Sequence, residues 1–279
     1  MELKVGLVGH GSWGKRHRES WMGIPGTSLI GIYDPNYRGA KAVDNYQDLC
    51  SEADILDIVV PASDLPKMAR AAIEAGKDVF VEKPVAINFR EARALADVAS
   101  NSHHSLVMVG FIERFNPAFR KLKFITQFLR KPNRIFCQRS GTPTLVAQQT
   151  GVLKDLAIHD VDLLRWFLGE PNAVGVHSRG DFHFGELELT FGKTDALLIS
   201  DCLGPKIRRW VVSYDDKTVF AQFEDTRWRL YTNSVEIPIS WRMPLQEELS
   251  YFVDCVRSRK RPAPSLDDAV KALQIIEGA

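Results

Sequence analysis

Six residues, Gly9-His10-Gly11-Ser12-Trp13-Gly14, carry the G-x-G-x-x-G spacing directly between an apolar run at 3–8 and a helical pattern. The three glycines have separate tasks in that position. Gly9 permits a tight turn, Gly11 lets backbone N–H groups approach a pyrophosphate, and Gly14 lets helix and sheet pack closely. The helix N-terminus favours the anion, with Ser12 and Trp13 completing the cofactor-binding loop. A glycine-rich turn by itself is only a turn, so its surroundings decide. A second apolar run, 28–33, ends at Asp34, and 34 minus 14 places this acid twenty residues after the last glycine. Such an acid accepts hydrogen bonds from an adenosine ribose and repels a 2′-phosphate, favouring NAD over NADP. Arg38 keeps NADP open, and Asp34-Pro35-Asn36 is also a turn initiator.

The strand-helix order then repeats. Residues 55–60 read as a buried strand ending at Pro61, 65–75 as a helix closed by Gly76, and 106–110 as a further strand. Asn88 with Glu91 three residues on is a capping box that starts a helix to about residue 99. A β-α-β order sustained to residue 111 is the pattern of a doubly wound parallel sheet with right-handed crossovers. The expected fold class is α/β, with a dinucleotide-binding domain over 1–112 and a second domain over 113–279.

Within the first domain, Val79-Phe80-Val81-Glu82-Lys83-Pro84 stops an apolar β-run at a carboxylate, an ammonium and a proline. Pro84 cannot extend the ladder and so ends the strand. Read alone, Lys83 is a solvated lysine beside a glutamate. In an open α/β sheet, however, ligands bind outside the carboxyl ends of the strands, which puts Lys83 at the mouth of a site.

After Phe111 the alternation ends. Glu113-Arg114-Phe115-Asn116 leads through Pro117 into a helical stretch to about Arg130, and residues 151–168 form another helical pattern stopped by Gly169 and Pro171. On an α-helix, Asp155, His159, Asp162 and Trp166 share one face. The plain reading of that stripe is a wet face. Combined with a dinucleotide loop and a lysine at a strand end, it has a chemical one. Alcohol oxidation needs a base for the hydroxyl proton while hydride leaves for nicotinamide, and histidine has the suitable unperturbed pKa. An ammonium polarises the substrate oxygen, and Asp155 orients the pair.

At these residues the sequence resembles the glucose-fructose oxidoreductase / inositol dehydrogenase family, Gfo/Idh/MocA, over nearly its whole length. The resemblance is carried by the 9–14 loop, Ala75-Gly76-Lys77, Glu82-Lys83-Pro84, and Asp155 with His159. It implies an N-terminal Rossmann domain and a C-terminal α+β domain with a large, mostly antiparallel sheet. The implied activity is NAD(P)-dependent oxidation of a sugar, nucleotide-sugar or cyclitol hydroxyl. By the same resemblance Lys83, Asp155 and His159 are the catalytic set and also touch substrate, while Pro61, Glu82 and Lys83 join the cofactor site. The segment 110–118 looks most like enzymes acting on UDP-N-acetylglucosamine or related nucleotide sugars, making Arg114 and Asn116 candidates for contacting cofactor or substrate. Asn116 is equally a helix cap before Pro117. One departure is Leu65, at a position where family members usually carry histidine. A non-redox dinucleotide-binding regulator and an NAD-assisted glycosidase stay open as alternatives.

From residue 173 the chain reads as strands, 185–191, 196–202, 209–214, 218–224 and 228–231, with turns at Phe191-Gly192-Lys193 and Asp215-Asp216-Lys217. Helices over 245–257 and 266–277 close it. A broad antiparallel sheet with helices on one face has the other left to cover, so a homodimer or homotetramer is expected. The formal net charge of +1 argues against a general nucleic-acid binder. Cys50, Cys137, Cys202 and Cys255 show neither disulfide nor zinc spacing, and no metal is expected. With no bilayer-length apolar stretch and no cleavable signal, the expectation is a cytoplasmic protein that does not engage a membrane.

Overall fold

The computed structural model describes residues 2–102, 104–128, 131–178, 182–224 and 226–278. It divides into two compact units, Met1–Ile112 with Met243–Lys271, and Glu113–Arg242 with Ala272–Ala279.

In the first unit the order is β1 (Leu3–Val8), α1 (Ser12–Trp21), β2 (Thr27–Tyr33), β3 (Ala42–Val43), α2 (Tyr46–Glu52), β4 (Ile55–Ile58), α3 (Leu65–Glu74), β5 (Asp78–Glu82), α4 (Phe89–Asn101) and β6 (Val107–Gly110). Among the described residues these strands make one parallel sheet in the order β3-β2-β1-β4-β5-β6. That is the doubly wound arrangement, and its order reverses between β1 and β4, where such sheets hold ligands at their carboxyl ends. Strands covered on both faces need continuous apolar runs, and Ile55, Leu56, Ile58, Val79, Phe80 and Val81 are all fully buried. The Asn88 cap is present, its side chain accepting from the Glu91 N–H. Strand β4 stops at Ile58 rather than at residue 60. The stretch between Tyr33 and Ile55, unassigned from the sequence, holds β3 and α2, both too short to establish a period.

The second unit begins with a 3-10 turn, Ile112–Phe115, then α5 (Pro117–Phe128), β7 (Arg134–Ser140) and α6 (Leu145–Thr150). The expected end of α5 at Arg130 lies outside the described residues. A wide π-helical turn, Leu153–Ala157, follows and runs into α7 (Ile158–Leu168). Then come β8 (Ala173–Ser178), β9 (Phe184–Phe191), β10 (Thr194–Asp201), β11 (Ile207–Ser213), β12 (Thr218–Glu224), β13 (Arg227–Thr232) and β14 (Val235–Ile237). They form a sheet ordered β14-β13-β12-β11-β7-β10-β9-β8, antiparallel except where β10 runs parallel to β7. Period-two alternation divides its faces. Cys137, Leu187, Leu198, Trp210, Ala221 and Leu230 are buried on one of them. The other carries Leu197, Phe136, Val211 and Phe220 in one row across four strands.

The chain closes with α8 (Pro244–Ser258) and α9 (Leu266–Glu277). The expected second domain of 113–279 is divided here, because Met243–Lys271 returns to the first unit. The reason is the apolar face of α8, which packs against α1 and sets the Phe252 ring 5.9 Å from that of Phe80. No helix among the described residues is long and apolar enough to cross a membrane.

Candidate active site

The 9–14 loop leaves β1 with its glycines under different constraints. Gly9 has φ +95°, and a Cβ there would stand 2.2 Å from the Val59 carbonyl oxygen; one at Gly14 would stand 2.2 Å from the Gly9 oxygen. Both are places where only glycine fits. A Cβ at Gly11 would meet nothing within 4 Å, so the loop keeps open space over its middle glycine. Backbone pressed against the sheet on one side and open on the other suits the pyrophosphate of a dinucleotide. Ser12 is exposed at the start of α1, and half-buried Trp13 lies under the Arg16 guanidinium, 5.1 Å away.

Asp34, at the carboxyl end of β2, accepts from the His10 N–H (2.7 Å) and the Asn36 N–H (2.8 Å), one on each oxygen. The turn and the ribose readings therefore coexist. The carboxylate is anchored to the glycine loop, and each oxygen retains a lone pair for a ribose hydroxyl. Exposed Pro61 accepts from the Asp64 and Leu65 N–H groups as the chain enters α3, and Leu65 is buried.

The feature that sequence reading missed lies beneath these strand ends. His17 of α1 is fully buried, its Nδ1 2.8 Å from Asp57 Oδ2 and its Nε2 3.2 Å from Glu82 Oε1, the second an ion-pair distance off the hydrogen-bond axis. Trp21 Nε1 donates to the same Asp57 oxygen at 2.6 Å. Burial alone would lower the histidine pKa, but Asp57 and then Glu82 outweigh it and raise it to about 10. The imidazole is thus a cation clamped between two carboxylates. The available signal was a charge, Asp57, inside the apolar strand Ile55-Leu56-Asp57-Ile58. Glu82 Oε2 in turn accepts from the Lys83 N–H at 3.0 Å, and Gly110, its partner on β6, leaves it room. Lys83 is half-buried at the carboxyl end of β5 and precedes a cis peptide to Pro84.

In the second unit the expected stripe is not a wet face. Asp155 and Asp162 are buried and His159 and Trp166 half-buried, and Asp160 and Arg165 beside them on the helix are buried too. Two long-range arginines account for this. Arg114 forks onto Asp162 at 2.8 and 2.6 Å, and Arg139 reaches Asp160 at 2.9 Å and Glu113 at 3.1 Å. Trp210 and Trp228 donate to these same two carboxylates. Asn116 accepts from the Ala118 N–H and donates to Glu113, as its capping reading requires. Asp155 lies in the π turn, whose wider coil shifts it from the α-helical phase it would share with His159. Its Oδ2 accepts from the Thr144 hydroxyl at 2.5 Å. That hydroxyl also accepts from the Ala147 N–H as the cap of α6, so its proton is committed to Asp155. Thr144 thus fixes the Asp155 carboxyl, a contact that no local motif disclosed.

Of the residues expected from the sequence, the 9–14 loop, Asp34, Pro61, Glu82 and Lys83 belong to the first unit and Arg114, Asn116, Asp155 and His159 to the second. Residues 3–111 match the GFO_IDH_MocA description, an oxidoreductase family with an NAD-binding Rossmann fold. Over these residues the chain is similar to the Gfo/Idh/MocA oxidoreductases. The whole chain is 27% identical to the UDP-N-acetylglucosamine 3-dehydrogenase of Acidithiobacillus ferrooxidans, over 100% of the chain and 96% of that protein. It is 26% identical to a scyllo-inositol 2-dehydrogenase (NAD(+)) of Bacillus subtilis, over 98% and 92%. The solved structure of the Acidithiobacillus enzyme superimposes with a TM-score of 0.87 at 22% identity, covering 100% and 96% of the two chains. A 3-ketoreductase from Actinomadura kijaniata, solved with TDP-benzene and NADP, gives 0.85 at 16%, covering 100% and 97%. Both structural likenesses concern the fold alone.

Proposed function

We propose that this oxidoreductase acts on a secondary hydroxyl of a sugar carried by a nucleotide, with NAD as its preferred acceptor and Lys83, Asp155 and His159 as its catalytic residues. The observation that carries the reading is the strand exit at Lys83. Its backbone is held by a buried glutamate, and it stands in the same sheet as a glycine loop open over Gly11. The loop and Asp34 would hold the dinucleotide, and the bound nicotinamide supplies the two-electron acceptor for the C–H bond. His159 takes the hydroxyl proton as the carbonyl forms. Lys83 donates a hydrogen bond to the reacting oxygen and stabilises the negative charge that gathers there, while Asp155, oriented by Thr144, aligns the pair. Arg114 and Asn116 serve this site through their neighbours and as candidates for contacting the ligand. We also propose a homo-oligomer joined through the open face of the second sheet, where Phe136, Leu197, Val211 and Phe220 adjoin across four strands.

The test is Lys83→Met, assayed by nicotinamide absorbance against inositols, free sugars and UDP-sugars with both cofactors. Turnover should fall by about 10²–10³-fold while NAD binding changes little. An undiminished rate would overturn the assignment. Turnover without net NADH would favour an NAD-assisted glycosidase, and tight NAD binding with no turnover in the unsubstituted protein would favour a regulator.

A further inference from the structure

Strands β7 and β11 place Arg139 and Arg208 directly opposite one another, so that both side chains project from the same face of the sheet. Like charges in that relation oppose pairing unless something neutralises them. Arg139 is neutralised fully by Asp160 and Glu113. Arg208 is not. It is half-buried, and among the described residues no hydrogen bond or ion pair reaches its guanidinium. The carboxylates around it are already committed. Glu113 serves Arg139, Trp228 and Asn116; Asp160 serves Arg139 and Trp210; Asp155 accepts from Thr144. Arg208 also stands over the ring of Phe223, its central carbon 5.8 Å from the centroid, and over that ring stands the Lys206 ammonium too, 4.4 Å from the centroid.

We propose that Arg208, supported by Lys206 and Phe223, holds an anionic group of the substrate, a phosphate or a carboxylate. A guanidinium presents a planar fork of donors that matches either oxyanion with two parallel hydrogen bonds. Burying part of that cation without a partner costs free energy, which an arriving anion recovers. The electrostatics agree: burial and Arg139 together lower the Arg208 pKa more than Glu113, Asp160 and Asp155 raise it. The proposed nucleotide sugar carries such a phosphate, and Arg208 is the side chain that would hold it. Calling the ligand a substrate rests on the proposed dehydrogenase activity; the site itself does not.

The experiment is calorimetric binding to the full chain saturated with NADH, which occupies the dinucleotide site and prevents oxidation. The probes are UDP-N-acetylglucosamine, N-acetylglucosamine 1-phosphate, glucuronate and neutral N-acetylglucosamine. Arg208→Gln should weaken at least one anionic probe by roughly 10- to 100-fold, at least tenfold more than the neutral sugar. The salt dependence of its binding should flatten, and Arg208→Lys should restore part of the affinity. Which anion responds separates a phosphate from a carboxylate. Unchanged affinity for all three anions, an equal loss for the neutral sugar, or no binding of any probe to the unsubstituted protein would overturn the site. If the anions bind through Arg208 yet none yields NADH in the presence of NAD, the dehydrogenase reading fails and the anion site stands.

Discussion

His17 shows how one side chain can tie a helix to two strands. Its folded-state pKa, about 10, lies above the ordinary value of 6.5, so its ionic contribution is fully present below pH 6.5 and is lost as pH rises through 10. The melting temperature should therefore decline over that window more steeply in the native protein than in His17→Leu, as thermal scans at several pH values would show. That variant leaves Asp57 and Glu82 buried without their cation and should cost about 3–5 kcal/mol. A pH response equal in the two proteins would remove His17 from this role. Little of this was legible in the sequence. A histidine three residues after Gly14 looks like any helical polar residue, and what charges it comes from forty and sixty-five residues away. The same distance effect hid the nature of the Asp155–Asp162 stripe. An acidic face reads as wet until Arg114 and Arg139 arrive from outside the helix to neutralise it.

Elements with a strong internal period were read closely: β1, β5, α3, α4 and α9 lie within a residue or two of the expected bounds, because each repeats a burial pattern in its own sequence. The π turn at Leu153–Ala157 has no such signature, since a wide turn uses the same residues as an ordinary one and is set by what packs beneath it. Beneath it lies Gly185 on β9, where an added Cβ would come within 2.5 Å of the Leu153 side chain. Gly185→Ala should therefore displace the turn, with a stability loss of about 1–3 kcal/mol and a fall in kcat that exceeds the rise in KM, because Asp155 moves with the turn. Denaturant unfolding paired with steady-state kinetics reads both. Normal kcat in a destabilised variant would separate the turn from catalysis.

At the scale of the whole molecule, the second sheet has one face built into a core and one bearing the Leu197-Phe136-Val211-Phe220 row, with Phe220 42% exposed. Light scattering should give a mass that is a multiple of the 31.4 kDa protomer, and Phe220→Asp should lower it. A protomer mass for the native protein would refute the association. The division of the chain was the least legible feature at this scale, since nothing in 243–271 announces that it goes back to the first unit. That return has a consequence for biosynthesis. A ribosome delivers β1 to β6 early, but the helix that covers Phe80 emerges only after the whole second sheet has been made. The nascent nucleotide-binding unit must wait for most of translation with one apolar flank uncovered, and a chaperone acting on this protein would be needed there first.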